Sequence, residues 1–342
     1  MILNRAPFYF NVVFPNTFVT NVNFTLVVGT GSTTTIVPTK TYTFTKQKPS
    51  TSSTNTWLDI SPYIRDYYSY TPIDTSSIVA SSVIENDEVL LASISAQVID
   101  SLGSTITPTS QKYICADGYG YYREGQNSQP TNKILLTHQN YRADARGWFI
   151  VPLRCISGDA NPTVNGVAAT LGFVDNHNNY VKYLIIPCSA YTGTITVVFG
   201  GESIDIELIE ECIYDVNEVQ FINRYGVFEN MHFYKASKKS IETSGDDFKN
   251  NFTNGVSYDV NVHQKKKINV MSNESITVET GFLNPYYNET ISELLQSENV
   301  WLNGIPVNVV TSSLEYKTRI VDKLISYSLD FEYAFDRISN IR

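Results

Sequence analysis

The sequence predicts a mainly β protein: tandem antiparallel β-sandwich-like domains, then a C-terminal β-rich α+β domain with one short helix and a long terminal strand. Three observations carry this expectation. Aromatic residues fill 13% of the 342 positions, with 23 Tyr and 17 Phe, against only 17% charged residues. Aromatic and β-branched side chains suit the pleated, half-buried surface of a sheet. Short alternating runs recur between clusters of Gly, Pro, Ser and Thr, the rhythm of strands and turns in an antiparallel sandwich. Finally, Ile325, Tyr327, Leu329, Phe331, Tyr333 and Phe335 alternate with smaller or polar residues, the period of one long strand with a dry face and a wet face.

The length suits two or three domains of about 100–150 residues, and three regions differ in texture: 1–112, 113–217 and 218–342. In the first, Phe8, Phe10 and Val12 alternate with Tyr9, Asn11 and Val13, followed by Phe24, Leu26 and Val28 and then by Tyr42 and Phe44. Ser61-Pro62 reads as a cap and first-turn proline of a short helical turn, with Ile64, Tyr67 and Tyr68 on one face. The Gly-, Asn- and Gln-rich stretch 113–133 reads as a long loop leading the second region. There, strands are expected at Trp148 to Leu153, Tyr183 to Ile186, Thr194 to Phe199 and Ile204 to Leu208, with Gly200-Gly201 as a hairpin turn.

The third region opens with the aromatic-rich run Phe221 to Tyr234. The polar stretch Ser237 to Asn254 reads as an exposed loop. Strands are expected at Val256 to Val262, Ile268 to Val270 and Ile276 to Val278. A helix starts at Asn284-Pro285, carries Ile291, Leu294 and Leu295 as its apolar stripe and stops near Ser297. Strands at Val300 to Leu302 and Val307 to Val310 precede the long terminal strand, whose length suits an edge-to-edge contact between subunits.

Charge and cysteine usage narrow the function. The net charge is −9, from 25 basic and 34 acidic residues, and nucleic-acid binding rests on neutralising phosphates with Lys and Arg. Specific nucleic-acid binding is not expected, and Lys265-Lys266-Lys267 reads as a solvated turn. Cys115, Cys155, Cys188 and Cys212 are isolated, with no CxxC pair and no His at zinc-ligand spacing, the pattern of reduced thiols. The N-terminus lacks a basic stretch followed by an apolar core, and no apolar run approaches the ~20 residues that span a bilayer. The expectation is a protein that is soluble when made, without membrane insertion.

Motifs for chemistry are missing from the sequence. There is no GxxxxGK[ST] to wrap phosphate, no GxSxG and no HExxH. His138, His177, His232 and His263 are scattered; a pairing of Cys115 with His138 weighs less than a buried structural cysteine. Glu210-Glu211 and Asp246-Asp247 are adjacent, so on a strand their side chains point to opposite faces. Trp57, Trp148 and Trp301 fall in separate regions, which makes a sugar-lined catalytic groove the weaker reading. No catalytic, cofactor-binding or metal-binding residue is expected, and no cofactor.

Several segments together resemble tail proteins of phages that infect Bacteroidetes, the crAss-like phages included. They are Cys115-Ala-Asp-Gly-Tyr-Gly-Tyr-Tyr-Arg-Glu-Gly125, Glu210-Glu-Cys-Ile-Tyr214, Val219-Gln-Phe-Ile-Asn-Arg-Tyr-Gly226 and Met231-His-Phe-Tyr-Lys-Ala-Ser237. Further on come Glu279-Thr-Gly-Phe-Leu-Asn-Pro-Tyr-Tyr-Asn-Glu289, Leu294 to Leu302, Pro306 to Val309, Thr311 to Thr318, Asp322 to Ile325 and Phe331 to Asp336. The similarity covers roughly residues 113–342, and the N-terminal third shares only the style. It implies a structural ring, adaptor or hub protein of the virion tail, assembled in the host cytoplasm as a cyclic homo-oligomer of six- or twelve-fold symmetry and contacting other tail or neck proteins. It brings no catalytic residues. The alternatives are a receptor-binding or fibre-attachment protein of the same virion and, behind it, a polysaccharide-degrading tail enzyme.

Overall fold

The computed structural model describes residues 1–15, 18–31, 36–85, 90–120, 130–171, 180–250, 256–257, 259–311 and 325–336. These are mainly β-strand, arranged in several sheets with two α-helices, as the composition and alternation predict. Two compact units emerge: Met1–Glu210 with Gln220–Met231, and Glu211–Val219 with His232–Arg342.

The first unit opens with β1 (Ile2–Leu3), β2 (Tyr9–Val13), β3 (Val19–Gly31), β4 (Ile36–Gln47), β5 (Asn55–Asp59), α1 (Ser61–Arg65), β6 (Ser82–Glu85), β7 (Leu90–Asp100) and β8 (Thr105–Ala116). A five-stranded sheet runs in the order β1-β8-β7-β3-β4, and β2 pairs with β5 beside it. Val22, Phe24, Leu26 and Val28 point from β3 into the core with no exposed surface. The register explains how they fit: Phe24 lies between small Ala96 on β7 and Phe44 on β4, so one bulky ring faces a gap on one side. Phe10 and Val12 of β2, Leu58 of β5 and Ile64 of α1 close the core. Each fully buried side chain of this kind contributes about 1.5–3 kcal/mol.

Two local expectations change in this region. Ser61 does not cap α1. The cap position is Ile60, while the Ser61 hydroxyl donates to the carbonyl of Ala6 at 2.9 Å. Asp59 instead accepts from the amides of Phe8 and Ser61, both at 3.1 Å, and so serves the helix start from one residue further out. The expected loop at 113–133 begins later than the sequence suggests. Tyr113 to Ala116 complete β8, with Cys115 opposite Leu90 and fully buried, because Ile114-Cys115-Ala116 is apolar enough to stay in the sheet. Residues 121–129 of that stretch lie outside the described residues.

The first unit continues with β9 (Asn140–Asp144), β10 (Trp148–Cys155), β11 (Thr163–Val164), β12 (Val167–Ala168), β13 (Tyr180–Pro187), β14 (Thr194–Phe199) and β15 (Glu202–Ile209). These form a three-stranded sheet, β10-β13-β6, and a five-stranded sheet, β12-β11-β14-β15-β9. β6, from the N-terminal third, thus pairs with β13. β10 is buried on both faces from Phe149 to Leu153, hence its unbroken apolar run. Gly200-Gly201 makes the expected hairpin turn between β14 and β15, and both residues take the positive φ that such a turn requires.

The chain then runs through β16 (Asn217–Ile222), β17 (Phe228–Phe233), β18 (Lys238–Lys249), β19 (Lys265–Leu283), α2 (Tyr287–Gln296), β20 (Val300–Leu302), β21 (Ile305–Val309) and β22 (Ile325–Tyr333). In the second unit the strands lie in the order β20-β21-β22-β19-β18. Strand β22 has the expected alternation, with Ile325, Tyr327, Leu329 and Phe331 buried and Ser326, Ser328 and Asp330 exposed. The pattern stops short of Phe335, which is exposed. Helix α2 starts later than Asn284-Pro285, which form the turn leading into it; Tyr287 donates to the Asn284 carbonyl at 3.1 Å. Ile291 and Leu294 are its buried stripe, and Leu295 is half-buried.

Three expectations in this unit are corrected. The polar stretch from Ser237 contains a twelve-residue strand, β18, not a loop. Val256, Val260 and Val262 are exposed in turns instead of a strand, with 251–255 and 258 outside the described residues. Lys265-Lys266-Lys267 open β19 and pair with Lys249, Phe248 and Asp247, so they are strand and not turn. Pairing decides all three: exposed β18 has a strand partner along its whole length, whereas the valines have none among the described residues.

Candidate functional site

The most distinctive surface is the hairpin of β18 and β19. The two strands pair from Lys238–Thr277 out to Lys249–Lys265, but β22 accompanies β19 only over Ser275–Leu283. From Lys265 to Glu274, β19 therefore has β18 as its only strand neighbour among the described residues, and the sheet narrows to a two-stranded ribbon about 30 Å long. Every residue of β18 is exposed.

A bulge shapes the faces of this ribbon. Ser244 pairs with Met271 and Asp246 with Ile268, so β19 spends one residue more than β18 over this step. Asn269 takes a φ of 52°, and its amide donates to the Asp246 carboxylate at 3.1 Å. Residues three apart on a regular strand face opposite ways, but an extra residue restores them to one side. Met271 and Ile268 thus share a face with Phe248, whose direct partner is Lys266. All three are close to half-exposed: 45%, 45% and 49%. This apolar stripe was illegible in the sequence, because its members sit at irregular spacing within polar text. The lone Phe248 amid Ser, Gly and Asp was the one available signal.

A second feature is buried in the first unit. Glu229 has no exposed surface. Tyr141 donates its hydroxyl to Oε1 at 3.1 Å, and Asn223 donates its amide to Oε2 at 2.9 Å and to the Leu135 carbonyl at 2.9 Å. The Tyr141 oxygen in turn accepts from the amides of Thr137 and His138. The arrangement satisfies a buried carboxylate with neutral donors and pins the 135–141 segment. Beside it lies a cavity of about 290 Å³ lined by Leu136, Thr137, His138, Gln139 and Glu202 among others. Glu202 spends one oxygen on the amides of Lys133 and Ile134, at 2.9 and 2.8 Å, which makes it a loop clamp.

The residues weighed for chemistry are dispersed. Cys115 lies in β8 with its thiol pushed up to about 12 by burial, while His138 stacks on Tyr141 with ring centroids 3.9 Å apart. His232 is buried, burial lowers its pKa, and His263 is exposed; His177 lies outside the described residues. The Glu211 carboxyl is held below its ordinary value by the backbone amide of Ile213, which donates to it at 2.9 Å. Asp247 pairs with Lys267 across the ribbon. Among the described residues, no group of three or more His, Cys, Asp and Glu side chains is placed to hold a metal ion. Trp301 is buried and Trp148 donates to the Ile78 carbonyl at 3.1 Å. Trp57 stands on the outer face of β5, edge-on to Tyr9, with the Lys46 ammonium 4.3 Å from its ring centre. Among the described residues, no helix is long and apolar enough to cross a membrane.

No protein-family model matches this chain, and no curated protein matches it either.

Proposed function

We propose that this chain is a non-enzymatic structural subunit of a bacteriophage tail, assembling as a cyclic ring or adaptor that joins other tail or neck proteins in the virion. The sequence resemblance over residues 113–342 suggests the setting. The observation that carries the reading is the β18–β19 ribbon, which has no further strand neighbour among the described residues, with its Phe248–Ile268–Met271 stripe. A two-stranded hairpin in water is marginally stable, and long open strand edges are surfaces that other chains pair with. A ribbon of this kind suits a protein whose working state is an assembly, where heterologous contacts close by rotation into a ring.

Electron microscopy of the purified full-length chain tests the reading. Closed rings of six- or twelve-fold symmetry are the expected result. A three-fold tip would favour the receptor-binding alternative instead. A monomer that releases reducing ends from capsular polysaccharide would overturn the proposal in favour of an enzyme.

A further inference from the structure

We infer that in the free protein the outer edge of β18 pairs with the same edge of a second copy of this chain, antiparallel, across a two-fold axis at Thr243. This goes beyond the tail reading and does not rest on it, since it follows from the strand edge alone. Among the described residues β18 ends its sheet, and its exposed edge offers a row of backbone donors and acceptors about 40 Å long.

Charge complementarity selects a second copy as the partner. When two copies of one strand pair antiparallel about a two-fold axis, directly opposed residues lie on the same face, so the axis must pass through a residue. Three central registers are available. Centred on Glu242, the carboxylate would face itself. Centred on Ser244, Lys239 would face Lys249 and Glu242 would face Asp246. Centred on Thr243, no like charges are opposed. Instead Lys239 faces Asp247 of the second copy, twice by symmetry, Ser240 faces Asp246, and Lys238 lays its stem beside Phe248. Opposite charges directly across a strand pair stabilise it and like charges destabilise it.

Lysine on an open edge ordinarily deters pairing. In β18 lysine opposes lysine only in the register centred on Ser244 and glutamate opposes itself in the one centred on Glu242, whereas about Thr243 Asp247 stands at the mirror position of Lys239. Asp247 already faces Lys267 within its own hairpin. The pairing therefore places it between two lysines, one from each copy.

Directly opposed strand residues have Cα atoms about 4.5–5.5 Å apart, within disulfide range, which makes the register testable. In a Cys212→Ser background, Thr243→Cys is treated with oxidised glutathione and run on a non-reducing gel, with Ser240→Cys as the register control. Thr243 and Ser240 are both exposed, so neither change disturbs the core. The expected result is a covalent dimer from Thr243→Cys and little from Ser240→Cys. On dilution of the unmodified chain, native mass spectrometry should show any ring giving way to twice the monomer mass before the monomer appears, and Lys239→Asp should weaken that dimer roughly tenfold. A monomer persisting at about 100 µM overturns the inference. So does an oligomer in which Thr243→Cys links no better than Ser240→Cys; if that oligomer is a closed ring, the tail reading survives while this one falls. A Thr243-linked dimer with no ring does the reverse.

Discussion

His138 lies flat against Tyr141, and both its ring nitrogens are covered although part of the side chain reaches the surface. The proton binds at the nitrogens, so their burial governs, and it pushes the pKa from 6.5 down to about 3. His232 is buried and shifted the same way. A folded pKa below the unfolded value means the unfolded chain binds protons first as the pH falls. The stability His138 contributes is complete above about pH 6.5 and is lost as the pH falls towards 3, and the contribution of His232 is lost in the same direction. Melting temperatures measured from pH 7 to pH 4 should therefore decline, and His138→Phe, which keeps the stacking but cannot titrate, should decline less. None of this was legible in the sequence, where His138 is one isolated letter. Its burial depends on Tyr141, three residues on, and on the Glu229 network, which is contributed from 88 positions further along.

At the scale of elements, helix α2 separates what periodicity reads well from what it reads poorly. Ile291 and Leu294 are fully buried, whereas Leu295, adjacent in the same apolar stripe, is only half-buried. Leu294→Ala should cost about 2–5 kcal/mol in denaturant unfolding, and Leu295→Ala clearly less, because the cavity penalty applies only where neighbours enclose the side chain. Strand β22 was legible for the same reason as α2: one buried face prints its period into the sequence. Strand β18 was not. All of its residues are exposed, so hydrophobic burial leaves no mark on it, and Ser, Thr, Lys and Asp read equally well as loop. The reverse error at Val256, Val260 and Val262 has the same root, since β propensity without a pairing partner does not make a strand.

For the molecule as a whole, cysteine usage predicted a chain without disulfides, and all four thiols are free. Cys115, Cys155 and Cys188 are buried, and Cys212 is exposed. Burial raises the thiols of Cys115 and Cys155 to about 12. A thiol reagent at neutral pH should therefore modify Cys212 rapidly in the folded protein and reach the other three only on unfolding, because reaction requires an accessible thiolate. Rapid modification of Cys115 in the native state would contradict the placement of β8 in the core. The fold rests on sheet cores such as that around Phe24, with no covalent staples among the described residues.

The sequence by itself determined the class of this protein: strands wherever one face is dry, a single α-helix of any length in the C-terminal region, a hairpin turn at Gly200-Gly201 and free cysteines. These are local properties, readable because a buried face or a special backbone angle constrains the residue that occupies it. Only the tertiary structure decided which strands are neighbours. It alone drew β6 into a sheet with β13, brought Glu229 to Tyr141, and extended β18 and β19 beyond β22 as a two-stranded ribbon among the described residues. Strand pairing joins residues far apart in the chain through backbone groups that every residue carries, so its outcome is not written in the side chains at either end.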